Sequence, residues 1–252
     1  MTDLRRAAED YLALRRSLGF KLASQGYLLE SFVSYAEQAG ASRITVELAV
    51  AWARLPSGRD PVWHARRLSA VRVFAKHLTA LDPTTEVPPA DLLPYHSRRA
   101  VPYLYTPAEI DALMAAARGI RSPLKAATYE TVVGLLVVTG MRVGEAIALD
   151  RKDVDWKHRL LTVVDSKFGK SRELPLHAST VAVLRAYARR RDRLCPRPKD
   201  PSFFVSTTGT RLIYNNVHMG FHKLVRQVGL KPRSPRCRPR LHDVRHSFAV
   251  TT

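Results

Sequence analysis

The stretch Leu241-His242-Asp243-Val244-Arg245-His246-Ser247-Phe248-Ala249 lies close to the end of a 252-residue chain. A spacing of three at the start of a helix points His242 and Arg245 the same way. An imidazole that trades a proton, beside a guanidinium that holds charge bidentately, is suited to a phosphate. Alone, an H-x-x-R pair is also what a solvated helix face carries. Its meaning depends on partners elsewhere in the chain.

Charge gives the first indication of such partners. The chain has 41 Lys+Arg against 22 Asp+Glu, a net of +19. Residues 1–95 hold 12 basic and 10 acidic side chains, whereas residues 98–252 hold 29 and 12. The excess therefore belongs to the second half. Solvation needs no such imbalance, so a polyanion is expected as partner, with nucleic acid ahead of an anionic membrane. No stretch reads as a membrane span, and the start Met1-Thr2-Asp3-Leu4-Arg5-Arg6 lacks an apolar signal core. Cys195 and Cys237 are isolated, with no C-x-x-C or His/Cys cluster. That argues against structural zinc and fits a reducing cytoplasm.

Upstream of His242, Lys231–Arg240 carries five positive charges, Arg238 and Arg240 among them, and three prolines that exclude a helix. Apolar spacing predicts helices over 178–193 and 214–228. The β-prone run Arg159–Val164 and the returning Ser171–Leu176 predict a hairpin, with Lys167 and Lys170 at its tip. Before it comes Thr139-Gly140-Met141-Arg142-Val143-Gly144-Glu145. Gly140 breaks a nearly all-apolar helix that opens at Ser122-Pro123, which leaves Arg142 near the next helix start, a place that favours anions. Glu145 is within reach to orient Arg142; on that stretch alone a plain surface ion pair is the favoured reading. Thr106-Pro107-Ala108-Glu109 reads as a capping box.

The first half reads as four short helices: 3–18, 24–39, one capped by Thr45, and one from Asp60-Pro61 to about 80. Their apolar faces are read as Leu4/Ala8/Tyr11/Leu14/Leu18, Leu28/Phe32/Tyr35/Ala39, Leu48/Val50/Ala51/Leu55 and Leu68/Val71/Phe74/Ala75/Leu78. On the fourth, Arg66, Arg72 and Lys76 face away from the core and Arg67 sits at the margin. That face is either simply solvated or laid along DNA. From Asp82 to Pro102 prolines crowd in and periodicity fails, which marks a basic linker containing Arg98 and Arg99.

Taken together, an arginine in T-G-M-R-V-G-E, a hairpin lysine and a late L-H-D-V-R-H-S-F-A resemble, in that order, the tyrosine recombinases, also called phage integrases. The resemblance covers essentially the whole chain. It implies a mainly α fold with a small β-hairpin or sheet: a SAM-like helical core-binding domain over 1–82, a linker over 83–104, and an incomplete catalytic domain over 105–252. It makes Arg142 and Arg245 the clamp on the scissile phosphate and His242 the histidine that bonds the phosphate. Lys167 becomes the donor to the departing 5′-oxygen, with Lys170 as the alternative, and Glu145 a supporting acid. His246 matches no catalytic position and is read as structural. Double-stranded DNA is the implied partner, with assembly as a homo-oligomer on paired sites and nucleoid association in the cytoplasm. Guanidiniums and a lysine supply positive charge, so neither metal nor cofactor is expected.

One departure matters. The family's nucleophilic tyrosine follows the H-x-x-R, whereas the last tyrosine here is Tyr214. The expectation is a recombinase cut short, which binds DNA without cleaving it. A naturally truncated, non-catalytic protein that occupies recombination sites is the alternative. Generic RNA binding is weaker, because the aromatic motifs of common RNA modules are missing.

Overall fold

The side chains of Asp3, Thr45 and Asp60 each accept a backbone N–H at a helix start, from Arg5 (2.9 Å), Leu48 (3.2 Å) and Val62 (2.8 Å). Each satisfies a donor that a first helical turn leaves open. They begin α1 (Leu4–Ser17), α3 (Val46–Ala53) and α4 (Pro61–Leu78), with α2 (Ala23–Gln38) between the first two. The computed structural model describes residues 3–94, 100–164 and 170–251. The chain forms two units, Met1–Arg98 and Arg99–Thr252.

In the first unit, α4 buries Leu68, Val71, Phe74, Ala75 and Leu78, the face its spacing predicts. The other faces differ from the sequence reading. α1 buries Leu4, Ala8, Tyr11 and Leu12 and leaves Leu14 and Leu18 exposed. α2 turns Leu29, Val33 and Ala36 inward with Phe32, and α3 buries Ala49, Trp52 and Ala53. Where apolar residues outnumber one stripe, spacings of three and four fit two adjacent faces, and the neighbouring helices decide between them. Arg67 departs further. It is buried, with its guanidinium 3.8 Å from the Trp52 ring centroid and 4.6 Å from that of Trp63. Its Nη2 donates to the Trp52 carbonyl (2.9 Å). A flat, weakly hydrated cation is easier to bury against indoles than an ammonium is.

The second unit opens on the expected capping box: Thr106 Oγ1 accepts from Glu109 N (3.2 Å) and Glu109 Oε2 from Thr106 N (2.8 Å). That box starts α5 (Pro107–Arg118). The next helix, α6 (Pro123–Thr139), buries ten residues, among them Val132, Val133, Leu135 and Leu136, and α5 packs against it. A helix apolar nearly all round belongs at the centre of its domain. Then come α7 (Val143–Ala148), β1 (Val154–Asp155), β2 (Leu160–Val163), β3 (Arg172–Pro175), α8 (Ala178–Leu194), α9 (Tyr214–Val228) and α10 (Asp243–Thr251). α8 and α10 also pack on α6, and α9 packs on α5. The strands form one antiparallel sheet in the order β1-β2-β3, with Val163 opposite Arg172. β1 was not foreseen; two residues are too short for an alternation to show. Among the described residues no helix is long and apolar enough to cross a membrane.

Candidate functional site

The site is built at the corner between α6 and α7. Gly140 ends α6 in the left-handed region (φ +58°), and its N–H donates to the Leu136 carbonyl (3.0 Å). Glycine enters that region without steric cost. A Cβ there would also run into the Phe248 ring, so the missing side chain lets α10 lie against the corner. Arg142 is the N-cap of α7, and Glu145, three residues on, accepts its backbone N–H through Oε2 (2.8 Å).

The Glu145 carboxylate then gathers two guanidiniums. Arg142 Nη1 donates to Oε1 (2.7 Å). Arg172, from β3, donates through Nη1 to Oε1 (3.1 Å) and through Nη2 to Oε2 (2.7 Å). Burial acts to raise the Glu145 pKa, but the fork from Arg172 and the two bonds from Arg142 outweigh it and hold it at about 2. The carboxylate is therefore ionised at neutral pH, and the three side chains carry one net positive charge. Sequence reading missed Arg172. Its only signal was its place one strand after the hairpin lysines.

A further arginine arrives from α10. Arg245 Nη1 donates to the Gly140 carbonyl, two residues before Arg142. The start of α10 is fixed by a second fork: Arg240 Nε and Nη2 each donate to the fully buried Asp243 carboxylate at 2.8 Å. Ser247 Oγ donates to the Asp243 carbonyl (3.0 Å) and accepts Tyr105 N–H (2.8 Å). His242 immediately precedes this helix, exposed and edge-on to His246, with ring centroids 5.2 Å apart. Partial desolvation lowers its pKa, His246 and the nearby arginines add to that, and Asp243 opposes it. The shift favours the neutral ring, which can both donate and accept.

The far end of α7 is also held by an arginine. Arg211 Nη1 donates to the Ile147 (3.1 Å) and Ala148 (2.7 Å) carbonyls, and Nη2 to Asp150 (2.6 Å) and Asp200 (3.0 Å). The helix that carries Arg142 is thus tied at both ends. This capping role was not visible in the Thr/Gly-rich sequence around Arg211.

The remaining candidates divide. Lys167, Arg98 and Arg99 lie outside the described residues. Arg66, Lys76, Lys170 and Arg238 are exposed. Arg72 departs from the solvent-facing position expected of it: it is half-buried, with its guanidinium bonded to the Pro88 and Pro89 carbonyls at 2.7 Å each. Prolines lack N–H groups but leave carbonyls that need donors, which is why the proline-rich segment draws it in. Arg240 is likewise occupied by Asp243. The hydroxyls of the buried tyrosines Tyr103, Tyr105, Tyr129 and Tyr187 are each bonded within the unit, to Glu109, Arg240, Asn216 and Thr128.

An arginine pair anchored on one short loop, in a basic unit, is equipped to grip a phosphate. Comparisons with known proteins place the chain in a family. A Sinorhizobium fredii protein that bears the name integrase/recombinase y4rB is 44% identical over 258 residues, covering 100% of this chain and 82% of that protein. Tyrosine recombinase XerC of a Mycobacterium species is 31% identical over 263 residues, covering 97% and 83%. The fold is similar to that of the Tn1549 transposon integrase solved with transposon right-end DNA, with a TM-score of 0.68 at 17% identity, covering 97% of this chain and 85% of that one. Residues 104–251, which include the whole Gly140–Glu145 corner and α10, match the phage integrase family, and the chain belongs to that family of tyrosine recombinases.

Proposed function

We propose that the protein is a site-specific DNA recombinase or integrase acting on double-stranded DNA, with Arg142 and Arg245 gripping the scissile phosphate. The anchoring of both arginines on the Gly140–Glu145 loop carries this reading. Their donors are aimed before the substrate arrives, so charge that develops on the phosphate meets them without reorganisation. Glu145 aims Arg142 and His242 bonds a phosphate oxygen. Lys167 protonates the departing 5′-oxygen, with Lys170 as the alternative. Exposed Arg66, Lys76 and Arg238, together with Arg98 and Arg99, contact the DNA backbone and set the salt dependence. The family resemblance supports assembly as a homo-oligomer on paired DNA sites, in association with the nucleoid.

Cleavage through a phosphotyrosyl bond needs an attacking hydroxyl. No tyrosine follows Arg245 among the 252 residues. By itself, then, this polypeptide binds and polarises a phosphate without forming the covalent bond. The test begins by selecting the bound duplex from a random pool and replacing its phosphates, one at a time, with neutral methylphosphonates. One replacement should weaken binding of the wild-type chain and have no effect on the double variant Arg142→Ala, Arg245→Ala. Equal sensitivity in both proteins would remove the clamp assignment. A denaturant-resistant adduct between the 252-residue chain and a nicked suicide duplex would overturn the expectation of binding alone.

A further inference from the structure

Two histidines that the phosphate grip does not use stand one turn apart on α9. The Nε2 atoms of His218 and His222 are 3.2 Å apart, with ring centroids at 4.5 Å. Both rings are half-buried at the margin of the stripe formed by Val217, Phe221, Leu224 and Val225. Tyr214, one turn earlier, stacks on the His218 ring with an interplanar angle of 17°, and the Phe221 ring stands 6.5 Å from that of His222. The two imidazoles are therefore held together by packing as well as by their own contact.

A separation of 3.2 Å fits a single N–H···N bond when one ring donates. It also fits two ligands of one ion, because imidazole nitrogens bound tetrahedrally to zinc at about 2.0 Å lie roughly 3.3 Å apart. We propose that His218 and His222 chelate a transition-metal dication of the Zn²⁺, Ni²⁺ or Cu²⁺ class through their Nε2 atoms. The chemistry of the surroundings narrows the occupant. Lys223 is the next residue, and Arg226 donates to the His222 carbonyl (3.4 Å), so a purely electrostatic cation is repelled. Mg²⁺ and Ca²⁺ prefer oxygen ligands and have none to gain from this pair, whereas imidazole suits zinc, nickel and copper.

No group of three or more His, Cys, Asp or Glu able to hold a metal occurs among the described residues. The protein thus supplies two donors, and water or a donor from another molecule completes the shell. Structural zinc sites use four protein ligands, so this one is open and exchangeable. His242 and His246 have the same spacing of four, yet their centroids are 5.2 Å apart and no bond joins their ring nitrogens. They provide an internal control.

Calorimetric titration of the intact 252-residue chain with ZnCl₂ or NiCl₂ should give one ion per chain, and MgCl₂ should give none. His218→Ala and His222→Ala should each weaken that binding by about tenfold or more, and His246→Ala should leave it unchanged. A measurement without substitutions guards against misfolded variants: in histidine side-chain NMR of the wild-type chain, sub-stoichiometric Ni²⁺ should broaden the His218 and His222 signals before any other. Absence of stoichiometric binding would leave the pair as a simple hydrogen bond and end the proposal. Binding that survives both substitutions, or first broadening at His242 and His246, would do the same.

Discussion

Arg191 and Arg142 belong to the same unit and are held in opposite ways. Arg191 is 0% exposed, and all of its nitrogens have acceptors. Nη1 donates to the Ser202 (3.1 Å) and Phe203 (2.7 Å) carbonyls, and Nε and Nη2 both donate to Asp192, at 2.9 and 2.5 Å. The Arg142 side chain is 40% exposed and, among the described residues, bonds to protein through Nη1 alone. One arginine is a rivet. The other is aimed by Glu145 with donors left open for a ligand. Net charge counts them alike, and only the fold separates them.

The largest effect should come from the rivet. Arg191→Ala strips donors from two buried carbonyls and empties a packed site, which should cost about 4 kcal/mol in urea denaturation. Glu145→Ala comes next, at about 3 kcal/mol, the low end for a broken buried pair because Arg142 and Arg172 are partly hydrated. Acid adds a signature here. The Glu145 pKa falls from 4.5 to about 2 on folding, so its contribution is present above pH 4.5 and disappears as pH drops from there towards 2. Glu145→Gln should flatten that part of the stability–pH curve. Gly140→Ala forces a side chain into the left-handed region and against Phe248, at a cost of about 2 kcal/mol.

Arg142→Ala should change stability by less than about 1 kcal/mol, as for a half-exposed ion pair, while removing the phosphate-specific interference described above. A loss as large as that of Arg191→Ala would break the comparison. The smallest effect sharpens it. Replacing both Arg66 and Lys76 by Ala should lower the slope of log K against log salt by about 2, one for each lost phosphate contact. Arg72→Ala should leave that slope unchanged, because its guanidinium serves Pro88 and Pro89.

What could be read in the sequence follows the range of the forces involved. The capping box at Thr106, the Gly140 break and the placement of Arg142 at the start of α7 depend on neighbours within four residues, and all three were legible. So was the buried face of α4, where Leu68, Val71, Phe74, Ala75 and Leu78 recur at spacings of three and four. Arg67 was misjudged because Trp52, which supplies its hydrogen-bond acceptor and its nearer ring, comes from another helix. Arg172 was missed because its value depends on a strand register that sets it on Glu145, 27 residues earlier. Arg72 was taken for a solvent-facing side chain because nothing in its own helix shows that proline carbonyls wait nearby.

Gly140 also has a consequence in time. The carbonyl that holds Arg245 precedes it by 105 residues, and the ring that fills the space beside Gly140 belongs to Phe248. During synthesis the basic loop around Arg142 therefore leaves the ribosome long before the helix that completes it. A nascent chain carries the charge to adhere to nucleic acid but has no assembled grip. The contacts of Arg245 and Phe248 with Gly140 form only when the chain has folded through residue 248, so the proposed two-arginine clamp is among the last parts of this unit to assemble.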